Sequence, residues 1–234
     1  MSSNLTPGIK MPIFKNKNEN FFEHWSSEMA YILGFFCADG SMVINPRGSH
    51  YIEFQNTELG LLERIRNSFE SNHKITKRIR NENWKPSYRL QIGSKKLYDD
   101  LINLGLVPKK NKRLKLPAVP TKYLPHFTRG YFDGDGNVTI CTYKRKTRNN
   151  KLTTILRSGF TSGSKNFLSN LKNKLLEIGI IKGGTLYYSS NGWRLFFAIN
   201  DSKNLYQYMY KGFGKNNRLF LERKKIIFEK YLGA

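Results

Sequence analysis

Residues 31–40 read YILGFFCADG, and residues 127–136 read FTRGYFDGDG. Each is an aromatic-rich segment carrying a glycine, then a small residue, an aspartate and a closing glycine. The echo continues downstream in the same order. Glu58–Ile65 (ELGLLERI) is answered by Ser164–Leu171 (SKNFLSNL), a few residues after Phe54 and Phe160 respectively. Ser94-Lys95-Lys96-Leu97-Tyr98 is answered by Ser202-Lys203-Asn204-Leu205-Tyr206, and Lys110–Leu116 by Lys215–Leu221. Colinear echoes of this kind are the signature of an internal duplication.

Within each copy the periodicity alternates. Helices are predicted over Ser27–Asp39 and Leu124–Asp135, each ending at a glycine read as a C-cap, with Pro125 harmless near the second start. Strands follow at Ser41–Asn45 and His50–Gln55, matched by Asn137–Tyr143 and Thr153–Thr161. Amphipathic helices come next, near 58–71 and 164–178. Two further strands follow in each copy, Ile75–Arg80 with Tyr88–Ile92, and Thr185–Ser189 with Arg194–Ile199. Short helices near 94–104 and 202–211 close the pattern. The reading is αββαββα twice, an α+β fold with an antiparallel sheet in each half. Its parts are an N-terminal arm (1–20), a first repeat (21–107), a lysine- and proline-rich linker (108–120) and a second repeat (121–234).

Composition narrows the function. Lys and Arg number 40 against 17 Asp and Glu, a net charge of +23 and a pI near 10.0. Such a balance calls for a polyanionic partner, whose condensed counterions the cations displace. Hydrophobic residues at 39% and aromatics at 14% exclude a disordered basic tail. No apolar run approaches the ~18–20 residues of a membrane span, and MSSNLTPGIKMPIF lacks the apolar core of a secretory signal. Cys37 and Cys141 make no disulfide framework, and the four histidines have no ligand spacing that suggests zinc. The expected setting is an intracellular, reducing compartment: bacterial or phage cytoplasm, or an organelle matrix. Residues 1–117 carry net +8 and residues 118–234 net +15, so the second repeat should grip phosphate more tightly.

The two repeated helices suggest chemistry. Gly34 and Ala38 are four apart, as are Gly130 and Gly134, giving each helix a face nearly free of side chains. Two such faces can pack backbone against backbone, which brings their C-terminal ends together. Asp39 and Asp135 sit at those ends, where helix dipoles and mutual repulsion both disfavour a carboxylate. A shared hard cation such as Mg²⁺ resolves the conflict, with phosphate oxygens completing its shell. On a basic protein, this points to metal-assisted phosphodiester hydrolysis.

ILGFFCADG at 32–40 and TRGYFDGDG at 128–136 resemble the paired motifs of LAGLIDADG homing endonucleases in their two-repeat, single-chain form. The resemblance covers roughly residues 27–232 and implies the same αββαββα fold. It implies that Asp39 and Asp135 are the metal-binding catalytic carboxylates, with the carbonyls of Ala38 and Gly134 close to the ions. It also implies a basic residue near each scissile phosphate, which the internal alignment assigns to Lys110 and Lys215. Cleavage across the minor groove to leave short 3′ overhangs is a further implication. Cys37 stands where the second copy has Asp133, and Thr128-Arg129 replaces the family's usual Leu-Ala. Glu58 and Ser164, opening their helices, are candidates for a water network around the metals or for plain helix starts.

Alternation sorts each sheet into a core face and an outward face. In the first repeat Ile44, Phe54, Ile75 and Ile79 are read as inward. The outward set is Ser41, Val43, Asn45, Arg47, Tyr51, Glu53, Gln55, Lys74, Thr76, Arg78, Arg80, Arg89 and Gln91. In the second it is Asn137, Thr139, Cys141, Tyr143, Arg145, Arg157, Thr161 and Arg194. Arg, Gln and Asn can read purine edges, and paired strands fit the major groove. Lys144–Arg148 with Lys151 should anchor phosphates, and Arg223-Lys224-Lys225 should make backbone contacts at most. The expected partner is double-stranded DNA, bound by a monomer at an asymmetric site. The rival is an intron RNA-binding maturase of the same fold.

Overall fold

The computed structural model describes residues 15–79, 81–110, 112–145, 150–211 and 219–233. In the first repeat α1 (Ser27–Asp39) leads into the hairpin β1 (Gly40–Ile44) and β2 (His50–Asn56), then α2 (Leu59–Ser68), β3 (Ile75–Arg78), β4 (Ser87–Gly93) and α3 (Lys95–Asn103). The second repeat has α4 (Leu124–Asp135), β5 (Gly136–Arg145), β6 (Lys151–Ser162), α5 (Lys165–Glu177), β7 (Thr185–Ser189), β8 (Gly192–Phe197), α6 (Ile199–Tyr210) and an added α7 (Glu222–Leu232). Each repeat forms one four-stranded antiparallel sheet, in the order β1-β2-β4-β3 and β5-β6-β8-β7. The fold is therefore the α+β pair of αββαββα repeats, with α7 appended. No helix among the described residues is long and apolar enough to cross a membrane.

α1 and α4 pack against each other at the centre of one continuous core. Tyr31, Phe35, Phe36, Phe127, Tyr131 and Phe132 are all fully buried there. The sheets close over α1 and α4 from either side, with Phe54, Leu90, Phe160 and Leu195 pointing in. Ser26 and Ser94 cap α1 and α3 by accepting the Met29 and Leu97 N–H. Asn18 N–H donates to the Phe69 carbonyl and Asn72 N–H to that of Asn16, so the described end of the N-terminal segment lies against the first repeat.

Some sequence expectations change. Ile44 is 53% exposed and Ile79 62% exposed, although both were expected to face the core. Ile44 keeps the inward phase of Met42 but sits at the strand end; Ile79 lies past the end of β3. The hairpin β5–β6 likewise outruns its cover, leaving Ile140 and Leu152 exposed. α6 begins at Ile199 rather than near 202, so Ser202 lies inside it; buried Ser202 Oγ accepts from the Ser158 N–H and hydroxyl. The helix-ending glycines are not left-handed caps either. Gly40 and Gly136 are extended, with φ −81° and −85°. They are required because a Cβ there would lie 2.3 Å from the rings of Phe36 and Phe132.

Candidate functional site

The site is built where α1 and α4 touch. A Cβ on Gly34 would fall 2.1 Å from the Phe127 carbonyl oxygen, and one on Gly130 would fall 2.0 Å from that of Tyr31. The two backbones are thus in direct contact, which only glycine allows. Farther along, a Cβ on Gly134 would lie 2.3 Å from Ala38 Cβ and 3.4 Å from Asp39 Oδ2. The carboxylate of one repeat therefore lies beside the helix end of the other, and Asp39 and Asp135 converge.

Their electrostatics follow from that convergence. Burial pushes the Asp135 carboxyl up to about 6, and repulsion from Asp39 adds to it. Burial also raises Asp39, partly offset by Lys224, Lys110 and a hydrogen bond from Asn56. Lys110 is buried, and its ammonium is lowered by desolvation. Its Nζ donates to the carbonyls of Ala38, at 3.5 Å, and Gly40. In the other repeat Lys224 Nζ donates to the carbonyls of Phe132 (2.7 Å), Asp133 (2.7 Å), Gly134 (3.2 Å) and Gly136 (2.7 Å). Desolvation lowers Lys224 to about 8.

The two lysines hold corresponding carbonyls, Ala38 and Gly40 against Gly134 and Gly136, although they come from non-corresponding parts of the repeats. Lys110 follows α3, whereas Lys224 stands in the first turn of α7. The internal alignment had pointed to Lys215, which lies outside the described residues. Lys224, expected from sequence to make backbone contacts at most, is buried. A signal for its burial was present, since it stands four before the fully buried Phe228 on one face of α7.

A second buried network fixes α7. Arg129 lies in α4, 2% exposed, and donates from Nε to the Leu219 carbonyl (3.0 Å) and from Nη1 to that of Met209 (2.7 Å). It also meets His126 Nδ1 at 3.1 Å, and burial with this guanidinium holds His126 down to about 4. Asp133 accepts from the Tyr31 hydroxyl (2.7 Å), from that of Tyr210 and from the Leu221 N–H (2.9 Å). Leu221 immediately precedes α7, so Asp133 holds the helix that carries Lys224. Thr128 and Arg129, read from sequence as a packing change, are both fully buried, and only the structure gives Arg129 this work. At the matching position Cys37 is buried and its thiol is pushed up to about 12. Ser164 caps α5 and donates to the Leu114 carbonyl (2.7 Å), a structural task; Glu58 pairs with Arg223 across the repeats.

The donor set around Asp39 and Asp135 is all oxygen. Among the described residues no three His, Cys, Asp or Glu side chains converge. Two raised carboxyls with few other ligands fit a hard divalent cation that takes much of its shell from phosphate or water.

The register places the expected readers of each sheet on a common face. In the first, Ser41 pairs with Glu53, Glu53 with Gln91, Gln55 with Arg89, and Arg89 with Thr76. Val43 pairs with Tyr51, while Arg78 ends β3 and Lys74 is exposed just before it. Glu53 is engaged by Arg89, Gln91 and Ser41. Asn45 Oδ1 accepts from the Arg47 and Ser49 N–H, so Asn45 builds the turn that presents Arg47. In the second sheet Thr139 pairs with Arg157, Cys141 with Ile155, Tyr143 with Thr153, Asn137 with Gly159, and Thr161 with Arg194. Arg80, the side chain of Arg145 and residues 146–149 lie outside the described residues.

Residues 26–103 match the model of the LAGLIDADG-like domain. The chain superposes on the homing endonuclease I-WcaI bound to its DNA recognition sequence, over 96% of this chain and 95% of that one. The TM-score is 0.61 and the identity 15%. It also superposes on I-SmaMI bound to an uncleaved DNA target in the presence of calcium ions, over 89% of each chain, with TM-score 0.56 and 12% identity. The replication factor C small subunit of Methanocaldococcus jannaschii is 26% identical over 228 residues, covering 93% of this chain and 11% of that protein. The chain spans about a tenth of the length of the curated relatives it matches.

Proposed function

We propose that this chain, which has the LAGLIDADG homing endonuclease fold, is a site-specific endonuclease hydrolysing one phosphodiester on each strand of a long, asymmetric DNA duplex. The observation that carries this reading is the meeting of Asp39 and Asp135 at the ends of two helices in backbone contact, between two outward sheets on a chain of net charge +23. Asp39 and Asp135 would hold Mg²⁺ or another hard divalent cation. When bound, such an ion supplies charge neutralisation at the phosphodiester and activates water near neutral pH.

The chain's own residues perform the rest. Lys110 and Lys224 place one ammonium at each helix end, already oriented by carbonyls before any phosphate arrives. A preoriented cation of this kind stabilises the extra negative charge of the transition state. Asp133 and Arg129 keep Lys224 in place by tying the approach to α7 to α4. The sheets differ in sequence, so a monomer with approximate twofold symmetry needs no palindromic site.

The test is cleavage of a randomised duplex library in Mg²⁺, with ends mapped on both strands. Wild type should yield one preferred site cut on both strands, while Asp39→Asn and Asp135→Asn should bind it in Ca²⁺ without cutting. Double-strand cutting by either variant overturns the metal reading. Tighter binding of structured RNA than of any duplex would favour the maturase.

A further inference from the structure

The two reading faces differ in chemistry at corresponding positions. Gly40 pairs with Phe54 and Gly136 with Phe160, which fixes the correspondence between the sheets. By that register Glu53 corresponds to Gly159, Gln91 to Phe196, Arg89 to Arg194 and Thr76 to Tyr187. The centre of the first face is a carboxylate engaged by Arg89 and Gln91. At the centre of the second there is no side chain on Gly159, and the Phe196 ring takes its space; a Cβ on Gly159 would fall 2.9 Å from that ring.

Tyr187 stacks on Phe196, with centroids 6.1 Å apart and planes 20° apart, and stays 41% exposed. Together with Thr185 and the exposed Arg157 they line an open depression of about 330 Å³. Beside it, Arg194 Nε is buried with no hydrogen-bond partner. An aromatic pair framed by two arginines, in the half of the chain with net charge +15, offers apolar ring faces where its neighbours offer charge. In the major groove the one apolar feature of a base pair is the thymine 5-methyl group.

We propose that Phe196 and Tyr187 form a thymine-reading platform in the half-site bound by the second repeat. The thymine methyl packs on the aromatic pair, and Arg157 holds the duplex against the rim. This rests on the DNA-cleaving reading above and adds which base it selects.

Duplexes captured in Ca²⁺ from a randomised library should carry thymine at one or two positions of one half-site. Phe196→Ser should erase that preference and leave the other half-site's sequence unchanged. Replacing those thymines by uracil should weaken wild-type binding about fourfold for each methyl lost, with no effect on Phe196→Ser. Tyr187→Ser, exposed at the rim, should weaken the preference if Phe196→Ser fails to fold. No duplex captured at all would count against the DNA reading itself. Selected duplexes without a thymine sensitive to these variants, or uracil bound as well as thymine by wild type, would overturn this inference alone.

Discussion

Asp135→Asn should abolish cleavage and stabilise the metal-free protein. The folded carboxyl is raised from its ordinary 3.8 to about 6, and that net shift already includes attraction by Lys110 and Lys224. Two pK units correspond to ~3 kcal/mol of unfavourable charge burial at neutral pH. An asparagine of nearly the same shape removes that charge, so the variant should gain about 2–3 kcal/mol, or roughly 5–10 °C in melting temperature for a chain of this size. The assay is thermal or urea denaturation in EDTA at pH 7.5. A carboxyl that binds its proton more tightly when folded adds stability that is complete below about 3.8 and is lost as pH rises through about 6. The gap between variant and wild type should therefore narrow as pH falls toward 5. His126, held down to about 4, titrates in the opposite sense and cancels in the comparison. Mg²⁺ should raise the melting temperature of wild type and not of the variant. If Asp135→Asn in EDTA is no more stable than wild type, or the gap is flat with pH, the account of this site as a destabilised cation-binding centre fails.

Four other substitutions probe separate features of the site. Gly130→Ala places a Cβ 2.0 Å from the Tyr31 carbonyl oxygen, so it should cost about 3 kcal/mol or more in urea denaturation. Lys224→Met and Lys110→Met should each slow cutting of one strand about 100-fold, read as accumulation of nicked circles from a supercoiled plasmid. Arg129→Met leaves the Leu219 and Met209 carbonyls without their donor and removes one of the two cations, Lys224 being the other, that act on Asp133. It should cost about 3–5 kcal/mol, measured by the same denaturation.

Sequence periodicity reached far into this fold. The bounds of α1 and α4 follow from a helical run closed by glycine, and alternation assigned Glu53, Gln91, Thr139 and Arg157 to the faces they occupy. It was blind to how far a neighbouring element extends. Ile44 and Ile79 keep the phase of core residues yet stay exposed, Ile44 at the end of β1 and Ile79 just past the end of β3.

The sequence by itself determined the duplication, the αββαββα order, and which residues could form a glycine-faced helix pair ending in two aspartates. These are local properties, set by spacing along one chain segment. Only the tertiary structure decided that Lys224 stands opposite Lys110, that Arg129 and Asp133 anchor the approach to α7, and that Phe196 covers Gly159 where the other sheet has Glu53. Lys224 lies some ninety residues beyond the carbonyls it holds. A lysine's spacing is the same whether its ammonium meets water or four carbonyls; burial and the elements packed against it decide which.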